Sequence, residues 1–392
     1  MKESIIIHNF GPLKDIRIDE IRQFTVFIGE SASGKSTLIK LLALFRYMYK
    51  MLVIRSFLKH ASISKSPFRF TLDAYLRNSG FSEMIGPDTL VQYTVSHEEI
   101  YRTIELKHRK LSGITETLDK GLLAYFKVSF ISEMRSLIPA WADRGARLAG
   151  AYLGFYFHET FNDFHDAAEE LRFADLDFLN LEFSLRKVSN KTEYLITPKD
   201  KSYSSVKFRH ASSGIQTSTP VSLITEYFSK HFNFNENLKK SISKFLFDTD
   251  KMQDYRPVMK LESLPNYAFI HIEEPEISLF PDAQCKLITN IVRSAMVESL
   301  ADRTISLCIA THSPYVLNHL NVLIAAANNN ILFDGAALSS DSISCYRLDD
   351  GTNKNLLGMD TASGKHLINT IDLSETMNTI YNNILSLNKN GH

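Results

Sequence analysis

Cysteine is scarce in this chain. Its three cysteines, Cys285, Cys308 and Cys345, are far apart among 392 residues and never form a C-x-x-C pair. An odd number of widely spaced cysteines argues against a disulfide framework and against a zinc site. The pattern predicts a protein of a reducing compartment.

Excess charge and long uncharged apolar runs are lacking as well. Lys and Arg number 44 and so do Asp and Glu, so the net charge is zero. A globally basic nucleic-acid binder is not indicated, although DNA binding through a local patch stays open. Residues 38–54 form the most apolar long stretch, but Lys40, Arg46 and Lys50 interrupt it. Because the N-terminus is also too short in apolar residues for a signal peptide, we expect a cytoplasmic chain without a membrane partner.

Segments typical of strands and helices alternate along most of the chain. Residues 90–107 alternate on both sides of a polar turn, which predicts a hairpin. Continuous apolar runs at 267–272 and 304–311 are typical of parallel strands covered on both faces. The other predicted strands are "SIIIHNF", "LKDIRID", "FTVFIG" and "FKVSFI", and helices are predicted from residue 35 and over 282–299 and 314–326.

The middle of the chain has a different pattern. Phe157, Phe161 and Phe164 recur at helical spacing, which predicts a long amphipathic helix within residues 141–172. His158 and His165 lie on this helix beside acidic residues. Metal binding there is conceivable, but a packing or surface role is favoured.

The most specific motif is a glycine-rich turn. Residues 29–37, "GESASGKST", match G-x-x-x-x-G-K-[ST], follow a strand and open a helix. The backbone N–H groups of such a loop surround phosphates, and the helix N-terminus adds positive potential. We expect Lys35 to reach the β- and γ-phosphates of ATP or GTP, and Ser36 to ligate Mg²⁺. The predicted nucleotide-binding residues are Gly29, Glu30, Ser31, Ala32, Ser33, Gly34, Lys35, Ser36 and Thr37.

Adjacent carboxylates follow the apolar run at 267–272. A buried strand that ends in Glu273 and Glu274 is electrostatically costly unless something positive lies there. We expect this strand to lie next to the phosphate-loop strand. Glu273 would then hold Mg²⁺ together with Ser36, and Glu274 would orient or deprotonate the attacking water. Glu276 is assigned a structural or dimer-contact role.

Two further segments complete a family resemblance. "HASSGIQTSTPVSLI" carries Ser212-Ser213-Gly214-Ile215-Gln216 ahead of a helix, and "CIATHSP" places His312 after an apolar strand. With the phosphate loop and "IEEPE", in this order, they resemble the ABC-type ATPases, in particular the branch with SMC-like heads and OLD-type (overcoming lysogenization defect) ATPases. "IIIHNFGPLKDIRID", "FISEMRSLIP" and the predicted C-terminal helix "IDLSETMNTIYNNIL" are similar to segments of that branch.

The resemblance implies the fold class and the domain organisation. The fold would be α/β, an ABC-ATPase head of the P-loop NTPase type with a mixed sheet and a mainly helical insertion. The three parts would be residues 1–140, which carry the phosphate loop, the insertion at 141–204, and the second part of the head at 205–392.

The resemblance also implies how the site is assembled. Two heads would enclose two nucleotides, so hydrolysis of ATP would require dimerisation. His312 would contact the γ-phosphate in its own chain and act with Glu274 in catalysis. Gln92 is a weak candidate for the glutamine loop, and Arg135 belongs either near the nucleotide or to a brace of the sheet. The signature residues that would reach the partner's nucleotide in trans are Ser212, Ser213, Gly214 and Gln216.

Four positions depart from the family pattern. Ser31 stands where Asn is common, and Ser213 replaces a glycine of the LSGGQ form. Glu273 replaces the commoner Asp, and Phe280 stands where "LHP" would carry a His. None of these changes removes a group that the chemistry needs.

Three functions remain open at this point. The first is a sensor ATPase of a bacterial anti-phage system, similar to those of the PARIS and Septu systems, with a separately encoded effector (a nuclease or toxin) and a phage-derived trigger protein. OLD nucleases continue into a long Toprim domain, whereas only 80 residues follow His312 here. The second is an SMC-like DNA repair or recombination ATPase, and the third, the least favoured, a transporter subunit. A homodimer or higher homo-oligomer is expected.

Overall fold

The computed structural model describes most of the chain. The described residues are 1–63, 76–143, 154–188, 191–248, 253–256, 260, 263–359, 364–371, 379 and 381–382. Most of the predicted C-terminal helix at 371–385 lies outside them. In the described part of the chain, no helix is both long and apolar enough to cross a lipid bilayer.

One large sheet dominates the architecture. It has 11 strands in the order β6-β5-β4-β1-β2-β15-β14-β3-β13-β12-β7. These strands are β1 (Lys2–Phe10), β2 (Leu13–Ile18), β3 (Phe24–Gly29), β4 (Ile85–His97), β5 (Ile100–Lys107), β6 (Lys110–Ser112), β7 (Tyr125–Ile131), β12 (Asn266–Glu273), β13 (Arg303–Thr311), β14 (Ile343–Asp349) and β15 (Thr352–Asn355). Two smaller sheets comprise β8 (Phe173–Leu176), β9 (Leu181–Val188), β10 (Lys191–Pro198) and β11 (Val206–Lys207), and then β16 (Leu357–Met359) and β17 (His366–Ile368).

The large sheet is mixed, as predicted. Strands β14, β3, β13, β12 and β7 are parallel neighbours, whereas β6, β5, β4, β1 and β2 pair antiparallel. The parallel strands β12 and β13 are buried along almost their whole length because helices cover both faces. The predicted α/β class, the hairpin at 90–107 and the parallel runs at 267–272 and 304–311 are confirmed.

The helices connect and cover the strands. The longest, α1, follows the phosphate loop and is buried on most of its surface because it packs against β7, β12 and β13. The described α-helices are α1 (Lys35–His60), α2 (Ile138–Asp143), α3 (Phe155–Leu171), α4 (Ser213–Glu226), α5 (Phe234–Asp248), α6 (Pro281–Val292) and α7 (Pro314–Asn328). Single turns of 3₁₀ or π type include Glu133–Leu137, Phe208–His210, Tyr227–His231 and Arg293–Val297.

The predicted neighbour of the phosphate-loop strand is wrong. Strand β12, which ends in Glu273, does not pair with β3. Strand β13 lies between them and pairs in parallel with both. The apolar runs at 267–272 and 304–311 are equally suited to a buried position. Their sequences do not encode which strand pairs with β3, because the pairing joins strands that are distant in sequence.

The prediction of a mainly helical insertion at 141–204 needs correction. Its described residues include helix α3, but also β8, β9 and β10, which form most of the four-stranded antiparallel sheet. Phe164 of α3 packs on Phe183 of β9 and Tyr194 of β10, whereas Phe157 and Phe161 of the same stripe contact Trp141. The buried side chains among these belong to the one core cluster that includes the large sheet.

Candidate active site

The candidate site lies at the carboxyl ends of the parallel strands. The phosphate loop follows β3, Glu274 follows β12, His312 follows β13, and Arg135 lies just after β7. In open α/β sheets, ligands bind at this edge because the loops there converge. The sheet therefore brings together motifs that are separated by more than 200 residues in sequence.

The phosphate loop has the backbone shape that its motif predicts. Gly34 caps α1 with φ 96°, and Ala32 is also left-handed at φ 65°. A Cβ on Gly29 would meet the carbonyl oxygen of Leu348 at 2.3 Å, and one on Gly34 would meet Leu13 Cδ2 at 2.6 Å. Neither glycine can therefore carry a side chain without a shift of the loop.

Lys35 points into its own loop. Its Nζ donates to the carbonyl oxygens of Gly29 (2.9 Å) and Glu30 (2.7 Å) and to Ser33 Oγ (3.3 Å). Burial lowers the pKa of Lys35, while the charges of Glu274 and Glu276 act in the opposite direction. The ammonium thus lies at the centre of the loop. If a phosphate binds there, Lys35 would exchange its hydrogen bonds to neutral carbonyls for charge-assisted bonds to an anion.

A cavity of about 440 Å³ adjoins the loop. Glu274 and His312 line it opposite the loop residues, and His312 Nε2 lies 3.5 Å from Glu274 Oε1. The loop-side lining residues are Pro12, Ser31, Ala32, Gly34, Lys35, Ser36 and Thr37. The predicted phosphate loop, catalytic carboxylate and switch histidine therefore share one cavity, which is large enough for the triphosphate of a nucleotide.

Glu276 holds the backbone of His312 by a hydrogen bond. Its Oε1 accepts a hydrogen bond of 2.7 Å from the backbone N–H of His312, and burial raises the pKa of its carboxyl. Ser313 caps helix α7, and its Oγ donates to Gln284 Oε1 at 2.6 Å. These contacts agree with a structural role for Glu276.

Glu273 is buried at the end of β12 beside a cation that the motif did not indicate. Lys40 Nζ, one turn beyond Ser36 on α1, lies 3.0 Å from Glu273 Oε1. Burial and a hydrogen bond shared with Glu133 raise the pKa of Glu273 to about 8, against the attraction of Lys40. Burial would also raise the pKa of Glu133, but its bond to Glu273 and the charge of Lys40 lower it to about 2. Glu273 is therefore the carboxyl of this pair that is harder to ionise.

The residues at this position fit a divalent cation. Apart from the ion pair with Lys40 and the contact with Glu133, the buried carboxylate oxygens of Glu273 have no partner among the described residues. Hard cations such as Mg²⁺ prefer carboxylate and hydroxyl oxygens and usually keep several waters. Glu273 and the Ser36 hydroxyl are the side chains that would hold the ion.

The raised pKa of Glu273 predicts that the stability of the fold depends on pH. The folded-state pKa, about 8, lies above the ordinary value of 4.5, so the folded chain loses stability as the pH rises through this window. Glu273→Gln is expected to raise the unfolding free energy of the nucleotide-free chain at pH 8 by about 1–3 kcal/mol, because it removes a buried charge that burial and Glu133 disfavour more than Lys40 favours it. In urea denaturation at pH 5, 6, 7 and 8, the difference in unfolding free energy between Glu273→Gln and wild type should increase with pH. Exposed Glu298→Gln serves as the control, and a difference independent of pH would contradict the assignment.

The signature residues lie outside the cavity of their own chain. Ser212 caps helix α4, its hydroxyl makes no capping hydrogen bond, and both Ser212 and Ser213 are exposed. Gly214 is buried, and a Cβ there would meet the carbonyl oxygen of Ser278 at 2.8 Å. Gln216 is engaged within its own chain, where its Nε2 donates to the Arg209 carbonyl at 2.9 Å. The trans role of these four residues stays a prediction.

Two residues near the site were missed from sequence, and one candidate, Gln92, lies on β4, away from the site. Lys40 could have been found, because it follows Ser36 by one helical turn and so faces the same side. Pro12 lines the cavity but belongs to a turn without a recognisable motif. Gln92 is a poor candidate for a glutamine loop, since its amide donates to Glu105 Oε2 at 2.7 Å across the β4–β5 hairpin.

Several solved structures are similar to the chain at low scores. They include the Smc head domain with an extended coiled coil bound to the C-terminal domain of ScpA, from Pyrococcus furiosus (TM-score 0.40, 11% identity, 97% of this chain and 98% of that chain). They also include the recombination mediator RecF with a bound ATP analogue (0.36, 12%, 91% and 98%). A third is a dimeric ATP-binding cassette bound to ADP and phosphate (0.31, 12%, 90% and 99%). Scores this low carry no weight for function.

Comparisons of sequence add no family. No protein-family model matches the chain. No curated protein matches it either. The function proposed below therefore depends on the residues of the site.

Proposed function

We propose that this chain is an ATPase of the ABC type whose heads close in pairs over ATP. The observation that carries the proposal is the division of the catalytic groups. Lys35, Glu274 and His312 line one cavity, while the exposed N-terminus of helix α4 lies outside it. A helix N-terminus with two exposed hydroxyls suits a phosphate, and in this arrangement the phosphate is one bound by a second copy of the chain.

The proposed reaction is hydrolysis of ATP to ADP and phosphate. The phosphate-loop N–H groups and Lys35 bind the β- and γ-phosphates, and His312 contacts the γ-phosphate. Glu274 accepts a proton from water as the water oxygen attacks the γ-phosphorus and the bond to the β-phosphate oxygen breaks. Mg²⁺, held by Ser36 and Glu273, would neutralise phosphate charge in the bound nucleotide.

The cellular role that we propose is that of a sensor and scaffold in a bacterial anti-phage system. ATP-clamped heads would hold a separately encoded effector, a nuclease or toxin, and a phage-derived trigger would change the assembly and release it. The support for this role is the resemblance of the phosphate loop, "IEEPE", "THSP" and "FISEMRSLIP" to that branch of ATPases. ATP that bridges two chains links assembly to nucleotide by mass action.

Native mass spectrometry tests both parts of the proposal. The Glu274→Gln chain would be co-expressed with its neighbouring genes and purified with ATP. A homo-oligomer that carries nucleotide and a second protein is the expected result, and the second protein would be the effector. A bare ATP dimer that retains only DNA would instead favour an SMC-like repair ATPase.

A further inference from the structure

Arg135 is fully buried, yet all the hydrogen-bond acceptors of its guanidinium are backbone carbonyls. Its Nη1 donates to the oxygens of Ser132 (3.1 Å) and Glu273 (2.7 Å), and its Nη2 donates to that of Glu274 (2.6 Å). Its Nε donates to the oxygen of Thr217 at 2.8 Å. One side chain therefore joins the turn after β7, the catalytic turn after β12 and helix α4.

The backbone that Arg135 holds is strained. Glu274 has a φ of 44°, a left-handed conformation that costs a non-glycine residue about 1–3 kcal/mol. Its N–H donates to the Ala310 oxygen at 2.7 Å, and its carbonyl accepts from Arg135. The two bonds fix the peptide groups on either side of Glu274, and with them the direction of its carboxylate into the cavity.

Helix α4 is tied to the same turn by a second contact. Thr217 Oγ1 has three carbonyl oxygens within hydrogen-bond distance, those of Ile277 (2.8 Å), Ser213 (3.1 Å) and Gly214 (3.2 Å), and its single proton is assigned to the nearest, that of Ile277. The helix comes so close here that Gly214 leaves no room for a Cβ against Ser278. A displacement of the first turn of α4 therefore acts on residues 274–278 through direct contacts.

We infer that Arg135 is a positioning residue that, with Thr217, couples the first turn of helix α4 to the catalytic turn at Glu274. The inference rests on the proposed function. In the ATP-bridged pair, Ser212 and Ser213 meet the nucleotide of the partner, while Glu274 acts on the nucleotide of its own chain. A phosphate bound by the partner that contacts helix α4 would thus fix the position of Glu274 in the site of its own chain.

The test uses hydroxyl deletions on one helix. Thr217→Val removes the bond to Ile277 with little change in shape, and Thr217→Ser keeps it. Ser218→Ala is the matched control, because Ser218 Oγ donates only within α4, to the Gly214 oxygen at 2.7 Å. We expect Thr217→Val to lower kcat by about 10- to 100-fold with KM unchanged, since small misplacement of a catalytic group has effects of this size. Thr217→Ser and Ser218→Ala should stay close to wild type.

Arg135→Lys supplies the second arm. It keeps the charge but cannot serve four carbonyls, so it is expected to lower kcat and spare the affinity for a fluorescent ATP analogue. Thermal unfolding shows whether the Arg135→Lys variant folds. If it does not fold, the kcat of Thr217→Val tests the coupling inference. Wild-type kcat in Thr217→Val would overturn the inference.

Dimer formation with ATP distinguishes a failure of the proposed function from a failure of the coupling inference. In the Glu274→Gln background, Thr217→Val should still form the ATP-dependent dimer, because Ser212 and Ser213 are intact. If Glu274→Gln alone forms no dimer with ATP, or if wild type hydrolyses no ATP, the proposed function fails and the coupling inference falls with it.

Discussion

Lys35→Ala is expected to abolish nucleotide binding. The Lys35 ammonium makes three hydrogen bonds inside the phosphate loop and lies on the wall of the cavity. Charge-assisted bonds to phosphate contribute about 1.5–3 kcal/mol each, so loss of two or three of them should weaken ATP binding by more than about 100-fold. Equilibrium binding of a fluorescent ATP analogue measures the change.

The variant also removes contacts that hold the loop, so folding must be checked by circular dichroism. Lys240→Ala is the matched control, because Lys240 is exposed on helix α5, where it forms an i,i+4 ion pair with Glu236 away from the cavity. It should bind the analogue like wild type. Ordinary ATP affinity in folded Lys35→Ala would refute the assignment of the phosphate loop.

Local motifs predicted the local conformation around the candidate site residues. The strand, loop and helix around Lys35 are encoded within a few residues, and so is the placement of Glu274 at a strand end. Both depend on short-range rules of glycine conformation and apolar patterning. The cavity that joins them with His312 follows once the strands are parallel.

Nonlocal features escaped prediction. Strand β13 lies between β3 and β12 because of pairing across long stretches of chain, which periodicity does not encode. Arg135 binds carbonyls 82 and 138 residues away, and no local signal marks it as buried. Strand β9 begins with an alternating pattern, but β10 carries three consecutive buried apolar residues, so the aromatic stripe of the preceding helix is the stronger signal in 141–204.

Glu274 is directed into the cavity by its backbone and by its neighbours. Its left-handed φ turns the carboxylate away from the end of β12 and into the cavity beside His312. Glu273, one residue earlier, is buried and is held by Lys40 and Glu133 instead. The two adjacent carboxylates therefore have different environments, and we propose different tasks for them. Only Glu274 is partly exposed to the cavity, where an attacking water would lie.

Glu274→Gln is therefore expected to bind ATP normally but to lose hydrolysis. Removal of a general base typically lowers kcat by about 100- to 10,000-fold. Because ATP binding is intact, the variant should accumulate as an ATP-bound dimer, measured by size-exclusion chromatography with light scattering and by phosphate release. Glu276→Gln is the matched control, since it keeps an acceptor oxygen for the His312 N–H and should retain much of the turnover. Wild-type turnover in Glu274→Gln would assign the base to another group.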